Sequence, residues 1–331
     1  MTLREELIHI LNGGKSKSFP SIIPINPPFL EVMEQAGIFW PQAHKEAGQM
    51  ADLAFQCNEI TGFNCINVPF DMTVEAEALG CNTIWKEGKA QTPQVKDQEN
   101  LELLDFDDSI LTQGRFPVVL EAIKTIHEKT SDLPVIPFIE GPFTIACLVG
   151  GINRMFKAMI RDKEKAKYIL DRCTDLFLMY ARAQIASGAD SIIILDPNVM
   201  GLREKHFEEL ILPVYERIIK EIEYPFILHI CGDVTKLLDL IAQSGFKSFS
   251  FDYPYVKIET ITEKLSGKMK VIGSIPTISH LLNGTPREVE ELSTEMIRKG
   301  IDVLAPSCFI SPYTPLENAR AMKQAIDKWN G

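Results

Sequence analysis

What most constrains this chain is an eightfold alternation. Short β-branched or apolar runs occur at residues 21–25, 65–69, 134–139, 191–195, 226–230, 248–251, 271–273 and 303–305. Amphipathic stretches of helical length lie between most of them, for example 161–187 and 286–299. Continuously apolar strands alternating with helices predict a parallel sheet buried on both faces. Eight such units predict an α/β fold of the (β/α)8 TIM barrel type, with a doubly wound open sheet as the alternative. Either needs a sizeable core, and a 331-residue chain that is 45% hydrophobic supplies one. Residues 1–331 are expected to form a single barrel domain. The stretch 70–115 exceeds a standard βα connection and holds Cys81, Trp85, a charged loop at 96–99 and Asp105-Phe106-Asp107-Asp108. It reads as an excursion beside the barrel mouth.

The phase of the alternation is marked by punctuation. Gly188, Gly245 and Gly300 each stand between a helical stretch and an apolar run, where a left-handed residue ends the helix. Thr285-Pro286-Arg287-Glu288 and Thr314-Pro315-Leu316-Glu317 each predict a capping box, with Thr at the cap and Glu three residues on. Met33, Met155, Met159, Met200 and Met322 read as helix core filling.

Charge narrows the function classes. The formal net charge is -11 and the pI about 5.2, which disfavours a phosphate-backbone partner. No apolar run approaches the roughly 18 residues of a membrane span. The N-terminal residues mix Arg4, Glu5 and Glu6 with apolar ones, unlike a secretory signal. Seven scattered cysteines without a CxxC pair are expected to be reduced, in a cytoplasmic protein.

In a barrel, chemistry sits at the C-terminal ends of the strands. The polar residues there are Asn26, Asp71, Glu140, Asp196, His229, Cys231, Asp252, Ser274, Ser307 and Cys308. Most suit a loop or a helix cap. His229-Ile230-Cys231 is different, because residues i and i+2 of an extended segment face the same side. Cys308 ends the eighth run and opens onto the same mouth. One imidazole nitrogen and two sulfurs form a donor set for Zn²⁺, with a fourth position open for chemistry. The competing reading is two cysteines acting as small hydrophobes and a histidine neutral in the core. Gly13-Gly14-Lys15-Ser16 lacks the earlier glycine of a phosphate loop, since His9 stands there. GxGxxG, GxSxG and HExxH motifs are absent from the sequence.

These residues resemble a known family. His229-Ile230-Cys231-Gly232 with Cys308 is similar to the HxC…C zinc motif of methylcobamide:coenzyme M methyltransferases. The resemblance spans nearly the whole chain. It includes Trp40-Pro41-Gln42-Ala43-His44, Val68-Pro69-Phe70-Asp71, Glu75-Ala76-Glu77-Ala78-Leu79-Gly80-Cys81 and Phe116-Pro117-Val118-Val119-Leu120-Glu121-Ala122. Glu140-Gly141-Pro142-Phe143, Val271-Ile272-Gly273-Ser274 and Thr314-Pro315-Leu316-Glu317-Asn318 extend it.

These enzymes share a superfamily with uroporphyrinogen decarboxylase. The resemblance therefore implies a uroporphyrinogen decarboxylase-like barrel and zinc on His229, Cys231 and Cys308. It also implies methyl transfer between a small substrate and a corrinoid. None of the six histidines has Asp two positions before it, as a corrinoid-binding Asp-x-His-x-x-Gly strap requires, so the cobamide is expected on a partner protein. Asp252 matches a carboxylate of related enzymes and is a candidate fourth ligand or base. Glu140 and Asp196 are candidates for positioning substrate or donating a proton.

Two departures bear on substrate. Decarboxylases carry arginines around a Gln-Ala-Gly segment, whereas Glu34-Gln35-Ala36-Gly37-Ile38 has none beside it. The Thr-Gln-Thr pattern of coenzyme M enzymes is replaced by Pro24-Ile25-Asn26-Pro27-Pro28-Phe29. That apolar loop slightly favours a methoxylated aromatic donor, as in O-demethylase methyltransferases, over a coenzyme M-like thiol acceptor. A uroporphyrinogen decarboxylase-type activity is the alternative reaction. A catalytically inactive barrel that binds or regulates is the alternative of another class.

Overall fold

A computed structural model describes residues 2–15, 18–21, 28–96 and 101–331. The excursion predicted at 70–115 holds a short helix Val74–Ala78 and an antiparallel hairpin of β1 (Asn82–Ile84) and β2 (Gln94–Lys96). Two 3₁₀ turns, Leu101–Leu104 and Asp108–Thr112, then lead into the helix Phe116–Lys129. Of the charged loop at 96–99, residues 97–99 lie outside the described residues.

Five parallel strands follow in sequential order: β3 (Phe138–Glu140), β4 (Ile192–Leu195), β5 (Phe226–His229), β6 (Ser248–Ser250) and β7 (Lys270–Ile272). Among the described residues the other three staves join through isolated bridges. Ile66 bridges Val135, Val303 bridges Ile272, and Ser21 bridges Leu304. The Asn64 N–H donates to the Ser21 carbonyl at 3.2 Å and closes the ring. All eight predicted runs therefore contribute to a closed parallel cylinder, and the open doubly wound sheet is excluded. Prolines explain why the 65–69 and 303–305 staves pair through bridges and not ladders. Pro69, Pro134, Pro137 and Pro306 each lack the N–H a ladder needs. The run predicted at 21–25 lies outside the described residues beyond Ser21, as do Asn26 and Ser16.

Alternation along each strand sorts the side chains. Ile192, Ile194, Phe226, Leu228 and Phe249 point outward and pack with the surrounding helices. Phe138, Ile193, Leu195, Ile227 and Ile272 point inward and form a separate inner core with Leu7, Ile10 and Leu11 of the N-terminal helix Leu3–Leu11. That helix plugs one end of the cylinder, and the Ser248 hydroxyl donates to the Leu11 carbonyl at 2.9 Å. The register is continuous across the strand ends: Glu140 pairs with Leu195, Leu195 with His229, His229 with Ser250, and Ser250 with Ile272. These five residues make one inward layer at the opposite end.

Helix punctuation follows the sequence with two corrections. Gly188, Gly245 and Gly300 have φ of 103°, 88° and 91°, and Thr285 with Glu288 forms the expected capping box before Pro286–Arg298. The second box does not form. The helix Leu316–Asn330 starts after Pro315 with no side-chain cap, because Glu31 accepts from the Leu316 N–H at 3.2 Å and satisfies that end. The Thr314 hydroxyl is buried without a partner among the described residues. Met33, Met155, Met159 and Met322 are buried, but Met200 is 49% exposed. It sits in the loop after β4 and approaches Gly232.

Candidate metal centre

His229 is the last residue of β5 and lies in the inward layer. Its side chain is wholly buried. Its Nδ1 lies 2.9 Å from Ser250 Oγ, the neighbouring residue of the same layer. That contact leaves Nε2 free to face the mouth, where Cys231 Sγ lies 3.1 Å away. The chain turns at Gly232 with φ of 77°, a conformation that glycine adopts without strain. Cys308 Sγ, from the end of the eighth run, lies 2.8 Å from Cys231 Sγ. This is far beyond the S–S bond length of about 2.05 Å, and both thiols are free.

The three donor atoms fall within 4.8 Å of one another, the one such group among the described residues. Two sulfurs about 2.3 Å from one zinc in a tetrahedron stand about 3.7 Å apart. An opening of roughly 1 Å between the sulfurs thus converts this cluster into a ligand set. The chemistry of the donors fits zinc: one imidazole and two thiols gathered at one point. The hydrogen bond from Cys231 holds the Cys308 thiol well below its ordinary range. The same contact, with burial, raises that of Cys231.

Asp252 follows β6 and accepts from the Gly232 N–H at 3.1 Å. It therefore ties the turn after Cys231 in place and stands outside the three-donor group. Burial raises its carboxyl. Asp196, after β4, accepts from the Thr144 N–H at 2.8 Å, the Thr144 hydroxyl at 2.7 Å and the Tyr215 hydroxyl at 3.0 Å. It caps the helix Pro142–Gly150 from outside, at an end where Gly141 has no side chain to do so. Burial pushes its pKa up to about 6. Glu140 ends β3 with no exposed surface and with neither carboxyl oxygen partnered among the described residues.

Residues 2–329 match the family described as uroporphyrinogen decarboxylase (URO-D). A methylated-thiol–coenzyme M methyltransferase of Methanosarcina mazei is 35% identical over 98% of this chain and 89% of that protein. A methylcobamide:CoM methyltransferase, MtbA, of Methanosarcina acetivorans is 33% identical over 99% and 98%. A solved methyltransferase from Methanosarcina mazei superposes with a TM-score of 0.95 at 31% identity, covering 100% of both chains. The chain belongs to the uroporphyrinogen decarboxylase family, on its methylcobamide:CoM methyltransferase branch.

In this family member a second buried group accompanies the three-donor cluster. Asp71 receives Arg115 at 2.6 and 3.0 Å, and the Thr73 hydroxyl at 2.6 Å. His44 Nδ1 lies 2.9 Å from the same carboxylate. Arg115 also reaches Glu77 at 2.6 Å and stacks over Trp85 at 4.9 Å. Burial alone would raise the Asp71 carboxyl; the Arg115 guanidinium and His44 overcome it and hold it well below the carboxylate range. Burial lowers His44. Beside this network Glu75 Oε1 accepts from the Glu140 N–H at 3.2 Å, and burial pushes its pKa up to about 7. Sequence reasoning gave no role to Glu75, His44 or Arg115. The signal was present, since His44, Asp71, Glu75 and Glu77 all lie in the segments that carry the family resemblance, and Arg115 adjoins one.

Proposed function

We propose that this chain is a zinc-dependent methyltransferase that moves a methyl group between a small thiol and the corrinoid of a partner protein. The observation that carries the reading is the convergence of His229 Nε2, Cys231 Sγ and Cys308 Sγ on one point at the open end of the barrel. Named relatives over nearly the full length are methyltransferases of coenzyme M. Zinc, held by these three residues, would supply a Lewis acid that lowers the pKa of a bound thiol and keeps it nucleophilic at neutral pH. Two thiolate ligands cancel the dication's charge, which suits a thiol better than a water-activating role.

The chain's own residues do the rest. Ser250 Oγ engages Nδ1 of His229 and so fixes the tilt of the ring. Asp252 holds Gly232, and with it the Cys231 loop. Asp196 holds the helix that follows Glu140. The inner core excludes water below the layer. With no Asp-x-His strap in the sequence, the cobamide arrives as a substrate on another protein. Among the described residues no helix is long and apolar enough to cross a membrane, and a cytoplasmic setting is part of the proposal.

The methoxylated aromatic donor rested on the loop at 24–29, of which 24–27 lie outside the described residues; the relatives' substrates favour the thiol. Decarboxylation of a polycarboxylate is disfavoured by charge. Arg115, the buried guanidinium near the site, is already committed to Asp71 and Glu77. An inert binding barrel has no need of a buried, oriented donor set. The test mixes the zinc-loaded chain with a methylated corrinoid protein and a series of thiols, and follows cobalt absorption. Demethylation by a thiol, lost in Cys308→Ser, supports the reading. Demethylation only by phenols, or none with any thiol, overturns it.

A further inference from the structure

We infer that Glu140 carries the proton that joins or leaves the substrate heteroatom during methyl transfer. The inference rests on the methyltransferase reading and assigns its proton to a residue.

Glu140 has the same parity on β3 as Phe138, which faces the barrel interior. Its register partner is Leu195, and that of Leu195 is His229. Carboxyl and imidazole therefore share one inward layer, two strands apart, with an aliphatic side chain between. Two strand spacings are about 10 Å along the hydrogen-bonding direction, and inward side chains of a closed barrel converge from there. A substrate atom at the metal centre lies across that gap.

The carboxyl is also uncommitted. Other acids near it have partners. Asp71 faces it from the end of the 65–69 stave and is neutralised by Arg115. Asp196 faces it from the end of β4 and accepts from Thr144 and Tyr215. Glu75 faces it from the helix Val74–Ala78 and accepts its backbone N–H. Cys308 faces it from the mouth. Among the described residues Glu140 alone has two buried, unpartnered carboxyl oxygens. Burying an unpaired carboxylate is costly, so such a group keeps its proton. Burial first, then Glu75 and Asp196, raise its pKa well above the ordinary range.

A methyl thioether approaches a corrinoid in its Co(I) state. The sulfur–carbon bond breaks, and the cobalt's electron pair forms the new bond to methyl. The electron pair of the broken bond stays on sulfur, which takes the proton from the Glu140 carboxylic acid. The thiol and the Glu140 carboxylate remain. In the opposite direction the S–H bond breaks, the proton returns to Glu140, and the thiolate accepts methyl. A carboxylate pressed against Glu75 favours that return.

The test compares the wild type with Glu140→Gln, a near-isosteric change, after equal zinc content and equal circular dichroism are established. Methyl transfer from a series of thioethers to a Co(I) corrinoid protein is measured as the leaving thiol is made more acidic. The account expects about a 10²-fold loss in E140Q for a basic alkyl thiolate, shrinking several-fold for an acidic aryl thiolate. Equal losses across the series overturn the proton role. Infrared difference spectra on the same two proteins at neutral pH give a reading independent of turnover. A protonated carboxyl band present in the wild type and missing in E140Q supports the assignment, and identical spectra overturn it. A wild type inert toward every thioether sinks the thiol reading, while the infrared band still decides the state of Glu140.

Discussion

Ser250 Oγ and His229 Nδ1 stand 2.9 Å apart as register partners on adjacent strands. The sheet register itself aims the imidazole, since no loop intervenes between the two residues. A hydroxyl on one ring nitrogen fixes which nitrogen is left for a metal. Ser250→Ala is expected to fold normally and to bind zinc about 10- to 100-fold more weakly. Competition with a chromophoric chelator measures it. Unchanged affinity would show that the ring is oriented by packing alone.

The pairing of Asp71 with Arg115 makes a second prediction. Both side chains are nearly wholly buried, at 1% and 4% exposure. Removing one partner strands the other charge, a loss of about 3–5 kcal/mol for buried pairs. Arg115→Met should show this in urea unfolding, and adding Asp71→Asn should restore part of it. Loss of less than about 1 kcal/mol in the single variant would mean that Thr73 and His44 suffice to hold the carboxylate.

Glu75 sets a pH dependence. Burial raises its pKa from 4.5 to about 7 in the folded chain. The folded state then binds more protons than the unfolded one between those values. Its contribution is fully present below about pH 4.5 and is lost as pH rises through about 7, a change on the order of 3 kcal/mol. Stability of Glu75→Gln relative to the wild type should therefore rise between about pH 5 and about pH 8. Parallel pH profiles for the two proteins would contradict it.

Gly141 stands where chain and carboxylate touch. A Cβ there would lie 2.3 Å from Asp196 Cγ. Gly141→Ala must displace Asp196 from Thr144 and Tyr215, at a cost of about 1–3 kcal/mol. Thermal unfolding of G141A checks this, and a variant as stable as the wild type would show that Asp196 can move freely.

The barrel was legible because each stave is short, apolar and bounded by helix stops such as Gly188 and Gly300. The convergence of His229, Cys231 and Cys308 was legible for a similar local reason, since His229 and Cys231 are two residues apart on an extended segment. Cys308 needed only the eightfold closure to reach them. What the sequence hid is what tertiary packing decides. Glu75 meets Glu140 across 65 residues, and Arg115 reaches Asp71 across 44, spans on which periodicity is silent. Thr314 carried a good capping signature, yet Glu31 from another helix accepts from the Leu316 N–H at that end. Met200 was read as core by its residue type, although its loop leaves it half exposed.

Zinc-edge X-ray absorption of the purified protein tests the central claim most directly. The account predicts about one zinc per chain, with two sulfurs near about 2.3 Å and one imidazole nitrogen near about 2.0–2.1 Å. A third sulfur should enter the shell when a thiol is added, and both protein sulfurs should vanish from it in Cys231→Ser/Cys308→Ser. A metal-replete preparation with no bound zinc, or a zinc shell of oxygen and nitrogen alone, would contradict the account.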